Sequence, residues 1–238
     1  MGNYSEGCLI CGQELEYLKE PVKGECTFCG KVTTTLIICS KDHFVCDKCH
    51  SADGLKILEN FCFNSKTKEP IELANIIMRS NLINMHGPEH HSIVPAVVVT
   101  AYKNKTGLLS EKHINEAIFR GSQIQGGSCG NFGACGAGIG AGIAISIING
   151  TTPLSVVDWG EANLMTAKAL QNIGQKGGPR CCKRCTWTAI ESAVEYIAQT
   201  KNIKLDIFSN DNKCTHYHRN KQCQGKKCSY FPIKIKEG

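Results

Sequence analysis

Cys8-Leu-Ile-Cys11-Gly, Cys26-Thr-Phe-Cys29-Gly and Cys39-Ser-Lys-Asp-His43-Phe-Val-Cys46-Asp-Lys-Cys49-His50 are the stretches that decide how this chain begins to fold. A CxxC followed by Gly lets a tight turn aim two thiolates at one ion. Zinc takes four such ligands tetrahedrally, so four pairs hold two ions. The first 50 residues carry little aliphatic core, and metal binding supplies the free energy that burial does not. Cys8, Cys11, Cys26, Cys29, Cys39, His43, Cys46 and Cys49 are therefore read as the ligands of two zinc ions. His50 is the alternative to His43, and rubredoxin-like iron the alternative metal. A ribbon would join Cys8 and Cys11 to Cys26 and Cys29; a cross-brace would join them to Cys39 and His43. The pair Cys46/Cys49 at the start of a helix favours the cross-brace. A closed site of this kind does no chemistry. It holds a partner, a nucleic acid or the rest of the chain in place.

Outside that module the pattern becomes helical, so the fold class expected is mainly α. Residues 1–50 read as a small zinc-binding β or treble-clef-like module, 51–209 as an α-helical domain, and 210–238 as a basic, Cys-rich tail packed on it. The sequence predicts one strand in the module, Thr33–Ile38, and a second short strand at Ile203–Phe208. Helices are expected from beyond Cys49 to Phe61, from Pro70 to Ser80, and from Pro88 through Lys103. Others run from a Ser110 cap to Gly121, from Cys135 to Ile148, from an Asp158 cap to Gly174, and from beyond Pro179 to Gln199. Trp159 and Trp187 are read as core residues, and His113 as facing solvent.

The chain of 238 residues has 16 cysteines. No basic-then-apolar leader opens it, and the apolar run Ala137–Ile148 is too short to span a bilayer. A cytoplasmic protein with reduced thiols and no membrane partner is the expectation, and there clustered cysteines serve metals or redox chemistry. The formal charge of +6 resides in the tail, where Lys201–Gly238 holds nine Lys/Arg against three Asp/Glu. Such a tail can grip nucleic acid or simply keep the chain solvated.

A second set of cysteines follows. Gly126-Gly-Ser-Cys129-Gly-Asn-Phe-Gly-Ala-Cys135-Gly-Ala-Gly-Ile-Gly-Ala-Gly142 fits neither a dinucleotide fingerprint nor a phosphate loop. Its glycines suit a backbone folded round a ligand and, after Cys135, a close helix–helix approach. Gly177-Gly-Pro-Arg-Cys181-Cys182-Lys-Arg-Cys185 again puts thiols at a helix start, with Arg180, Lys183 and Arg184 favouring thiolate. The tail adds Cys214, Cys223 and Cys228. Three uses compete: an iron–sulfur cluster, a dithiol that exchanges disulfides or carries sulfur, and a further structural zinc site. Cys129, Cys135 and Cys182 are the first choices for a [4Fe-4S] cluster or for reactive thiols, with one of Cys214, Cys223 and Cys228 as fourth ligand. Cys185 and Cys62 read as packed core thiols.

Met85-His86-Gly-Pro-Glu89-His90-His91 is not a zinc-protease HExxH, because Pro88 breaks any helix between His86 and His90. His86, Glu89, His90 and His91 stand as candidate proton-transfer groups at a helix start; Glu89 also complements the helix dipole.

The ordered set of zinc-finger cysteines, HGPEHH (86–91), GGSCGNFGACGAGIGAG (126–142), GGPRCCKR (177–184) and NKQCQGKKCSYFP (220–232) resembles a family of cysteine-rich proteins of archaea and anaerobic bacteria, classed as a domain of unknown function. The resemblance spans nearly the whole chain. It implies an anaerobic setting and the company of methyltransferase-like or radical-SAM-like partners, and it supplies no reaction. Cys185 stands where that family is expected to have Asp. A looser similarity joins the glycine-rich motif to redox-active proteins with a GCAxxG core. The expectation is a metal- and thiol-dependent redox or sulfur-handling enzyme; the alternative is a zinc-finger adaptor for nucleic acid or a partner protein.

Overall fold

The computed structural model describes residues 8, 10–11, 13, 15–46, 49, 54–206 and 212–232. Its first element is an antiparallel hairpin of β1 (Leu15–Glu25) and β2 (Val32–Cys39). Leu15 pairs with Cys39 and Glu25 with Val32, and the ladder is broken between Tyr17 and Val22. Only β2 was expected. The first strand carries Glu16, Lys19, Glu20 and Pro21 on its open surface, so it lacks an apolar stripe, and Pro21 lies in the broken stretch. The turn between the strands folds tightly: Gly30 takes φ +68°, and its N–H donates to Cys26 O at 2.8 Å.

Eight α-helices follow among the described residues: α1 (Gly54–Asn64), α2 (Pro70–Arg79), α3 (Glu89–Thr106), α4 (Glu111–Ser122), the single turn α5 (Ser128–Asn131), α6 (Gly136–Asn149), α7 (Val157–Gln175) and α8 (Cys182–Lys201). Every residue of α3 from His90 to Tyr102 is buried. A helix apolar on all sides belongs in a core, and α1, α2, α4, α6 and α8 all pack on it. The local signals act as expected at several ends. Pro70 opens α2, Gly107 closes α3 at φ 72°, and Ser110 caps α4. His113 completes that capping box, its Nδ1 accepting the Ser110 N–H at 3.1 Å. Asp158 lies within the first turn of α7 and is not its cap.

The glycines of α6 admit their neighbours: Gly140 faces Pro95 and the His91 carbonyl, and Gly142 faces Thr166. The closest approach to another backbone is at Gly121 of α4. A Cβ there would stand 2.5 Å from Ser92 Cα and 2.6 Å from His91 O. Gly121→Val is therefore expected to cost about 3 kcal/mol, since backbone must move to admit it. An unchanged denaturation midpoint would show that α3 and α4 separate freely.

Two expectations are corrected. Residues 203–206 form no strand; Leu205 is buried, and one backbone bond, from Asp206 N to Lys68 O at 3.3 Å, ties the segment down. Phe208 lies outside the described residues. Trp159 is 53% exposed on α7, whereas Trp187 is 2% exposed in the core. Cys62 is a fully buried core thiol of α1. The tail carries two single 3-10 turns, Tyr217–Arg219 and Gly225–Lys227. No helix among the described residues is long and apolar enough to cross a membrane.

Candidate metal sites and a thiol-lined cavity

The hairpin sorts the first eight ligands. Cys39 is brought to the Leu15 end, beside Cys8 and Cys11, while Cys26 and Cys29 lie in the turn at the other end. The resulting groups are Cys8, Cys11, Cys39, His43 and Cys26, Cys29, Cys46, Cys49, each with all its ligand atoms within 4.8 Å of one another. This is the cross-brace, not the ribbon. Cys11 Sγ lies 3.5 Å from Cys39 Sγ, and Cys29 Sγ lies 3.7 Å from Cys46 Sγ. Metal–sulfur bonds of about 2.3 Å in a tetrahedron put sulfurs roughly 3.8 Å apart. Each group can therefore hold one metal ion. His43 sits in the first, its Nδ1 3.6 Å from Cys39 Sγ; His50 lies outside the described residues. Backbone N–H groups two residues on point at sulfur, Ile10 N at Cys8 (3.4 Å) and Lys41 N at Cys39 (3.3 Å). Phe28, fully buried beside Cys29, meets the Phe61 ring of α1 edge-on at 6.1 Å and joins the module to the helices.

The second cysteine set does not form one group. Cys129, Cys135, Cys182 and Cys185 line a cavity of about 430 Å³ together with His90 and His91. Four helix ends build it: the start of α3, the α5–α6 turn, the end of α7 and the start of α8. The tail residues Cys214, Cys223 and Cys228 lie apart from this cavity and gather on the far side of Cys181.

Cys135 stands at the N-terminus of α6, where the N–H groups of Ala137 and Gly138 reach its sulfur. Interaction with the Cys185 thiol draws the Cys135 thiol down to about 6, and these backbone donors add to it against the effect of burial. The same interaction, with burial, pushes the Cys185 thiol up. Burial raises Cys182 to about 11. Cys185, read from sequence as a core thiol, is thus buried but faces Cys135. The signal that could have found it is its spacing, three residues after Cys182 on one helix face.

The histidines divide as well. His90 Nδ1 donates to Gly87 O at 3.1 Å, and His91 Nδ1 to Ile124 O at 3.0 Å, which leaves both Nε2 atoms as acceptors. His90 Nε2 is buried and has no hydrogen-bond partner among the described residues. Burial and the Lys183 charge hold His90 neutral, well below the usual imidazole range. Gly136 leaves room for the His91 ring: a Cβ there would overlap it. His86 bonds Asn220 of the tail at 3.2 Å and does not line the cavity. Glu89 folds back over Gly87 and accepts the Asn84 N–H at 2.8 Å; it closes the turn before α3 and likewise faces away.

A protein-family model described as "Family of unknown function (DUF5714)" matches residues 58–231, the helical domain and most of the tail. No curated protein and no solved structure matches the chain.

Proposed function

The chain belongs to this family of unknown function, DUF5714, and we propose that it is a cytoplasmic metal- and thiol-dependent redox or sulfur-handling protein. Two zinc ions fold its N-terminal module, and the cavity between α3, α6, α7 and α8 is the working site. An iron–sulfur cluster among the later cysteines belongs to the same reading.

One observation carries it. A buried imidazole nitrogen with no partner, His90 Nε2, belongs to a cavity that also holds Cys135, Cys182 and Cys185. An unpaired buried acceptor is costly, and a proton donor or a metal ion in the cavity relieves it. Cys135 is the nucleophile in this reading, activated by the α6 N-terminus. Its thiolate attacks one sulfur of a disulfide or persulfide; that S–S bond breaks as a new one forms to Cys135, and the other sulfur leaves as thiolate. Cys185 then gives up its proton and attacks the Cys135 sulfur. A Cys135–Cys185 disulfide closes, and the substrate departs reduced by two electrons. The departing thiolate takes up the released proton, His90 Nε2 accepts a hydrogen bond in the cavity, and Arg180, at the cavity wall, steadies the negative charge.

In a Cys129→Ser background, Cys135 is expected to be the fastest-alkylated thiol of the metal-loaded protein. Its rate should climb as pH rises through about 6 and then level off, because thiolate is the reactive form; an ordinary cysteine keeps climbing through about 8.5. Mild oxidation should give a Cys135–Cys185 disulfide, seen by peptide mass spectrometry. A Cys135 that alkylates no faster than a free thiol and forms no such disulfide would sink the dithiol mechanism.

A further inference from the structure

The three tail cysteines and Cys181 line a second, much smaller space, which shares Cys181 and Arg184 with the thiol cavity. It measures about 20 Å³ and is lined by Cys181, Cys214, Cys223 and Cys228. The four thiols lie near enough to act on one another electrostatically. Cys181 is the N-cap of α8, Cys214 precedes the first 3-10 turn, and Cys223 and Cys228 flank the second. Residues 214 to 228 thus wrap round one point on the end of α8.

The backbone treats these sulfurs as the N-terminal module treats its own. His216 N points at Cys214 Sγ and Gly225 N at Cys223 Sγ, each at 3.3 Å. Those are the two-residue N–H···S turns found at Cys8 and Cys39. Donors aimed at sulfur favour the thiolate, the form that binds metal.

Charge points the same way. Lys183 is fully buried and Arg184 is 4% exposed, and neither forms an ion pair with a carboxylate among the described residues. Lys183 Nζ donates to Met78 O at 3.2 Å. Arg184 is given over to carbonyl oxygens, of Gly177 at 2.6 Å, Pro179 at 3.0 Å and the Gln224 side chain. Burial draws Lys183 down to about 7, so Arg184 is the buried cation without an anion, and that is costly. Four thiolates round a dipositive centre leave a net negative charge beside it, and that offsets the cost.

We propose that Cys181, Cys214, Cys223 and Cys228 form a third metal centre, the ligand cage of an iron–sulfur cluster. The location stands independently of the thiol-cavity mechanism; the choice of a cluster rests on the functional reading, and one further observation supports it. In the N-terminal groups the ligand atoms all lie within 4.8 Å of one another, as about a single ion, whereas these four cysteines form no such close group among the described residues. A cluster, with iron and sulfide between its thiolates, spaces them farther apart than a single ion does. Because Cys181 is joined to Cys182, the centre abuts the thiol cavity.

The test uses the full chain, purified without oxygen and reconstituted with ferrous iron and sulfide. Iron, zinc and visible absorption are measured for wild type, Cys214→Ser, Cys228→Ser and Cys135→Ser. Wild type should hold about four iron and about two zinc. Cys214→Ser and Cys228→Ser should lose most of the iron and colour and keep the zinc; Cys135→Ser should keep both. A second measurement avoids variants that misfold. In loaded wild type these four cysteines should resist alkylation and become labelled once iron is removed, while Cys129 is labelled throughout. Iron lost in Cys135→Ser but retained in Cys214→Ser would overturn the location and leave the cluster reading standing. A third zinc lost in Cys214→Ser, with no iron in any sample, would overturn the cluster. Four thiols that alkylate freely in the loaded protein would overturn the centre itself.

Discussion

Removing one thiolate from the N-terminal module, as in Cys26→Ser or Cys49→Ser, unfolds the hairpin while the helical domain stays folded. Among its described side chains the hairpin leaves much apolar surface in water: Val22, Val32 and Leu36 are 38%, 57% and 49% exposed. An isolated pair of strands is marginal in water. Among the described residues the module buries most of its sulfurs, Ile10 and Phe28, and gathering thiols this way is favourable when they bind an ion. A structural zinc contributes on the order of 10–16 kcal/mol of apparent free energy, far more than the Phe28–Phe61 contact can replace. The helical core of α3, α6 and α8 closes without the module's ligands. A strong zinc chelator should therefore open residues 15–46 to protease and leave the helical circular dichroism in place. Acid should do the same, because protons compete with metal for the thiolates; the stabilisation is present at neutral pH and lost as pH falls. A hairpin that resists protease after its metal is gone would refute the metal-dependent fold.

Trp187→Ala is expected to cost about 3–5 kcal/mol and to release the tail. Trp187 is one of the largest fully buried side chains, and it touches three segments. Its ring packs against Tyr230 at 5.1 Å and His216 at 6.2 Å, and its Nε1 donates to Asn75 of α2 at 2.7 Å. Polar contacts hold the tail as well: the Tyr230 hydroxyl reaches Glu191 (2.6 Å) and Thr188 (3.1 Å), Lys176 Nζ donates to Ser229 at 3.1 Å, Asn220 bonds His86, and Gln224 bonds Arg184. The alanine leaves a cavity in the floor on which Cys214 and Cys228 are displayed. Trp187→Phe keeps most of the packing but leaves Asn75 Oδ1 without that donor, for about 1–2 kcal/mol. Denaturant midpoints and the rate of proteolysis between 212 and 232 measure both. Equal midpoints for the two variants would show that the ring is not what fastens the tail.

Much of this was legible in local pattern. Pro70, Ser110 and the small residues after Cys135 mark their helices through backbone effects that act within a turn or so. Trp159 misled because it shares a helix with buried Met165 and Ala169 yet points away from them; which stripe of α7 meets α6 and α8 depends on how those helices approach it. Glu89 reads as a proton carrier through its neighbours; one of its carboxylate oxygens accepts the Asn84 N–H across a turn that no pattern marks.

By itself the sequence determined that eight ligands in close pairs would gather metal, that the rest would be helical, and that thiols would stand at the starts of α6 and α8. Those conclusions rest on separations of two to four residues, where chain stiffness alone limits geometry. Only the tertiary structure decided which pairs share an ion, since that choice depends on β1, whose polar residues and Pro21 disguise it, and on a register that joins Leu15 to Cys39. It also decided that Cys185 faces Cys135, and that Cys181 lines both the tail space and the thiol cavity while Cys182 lines only the cavity. The two differ because Cys181 is the extended cap of α8 and Cys182 its first helical residue, so their side chains leave the backbone in different directions.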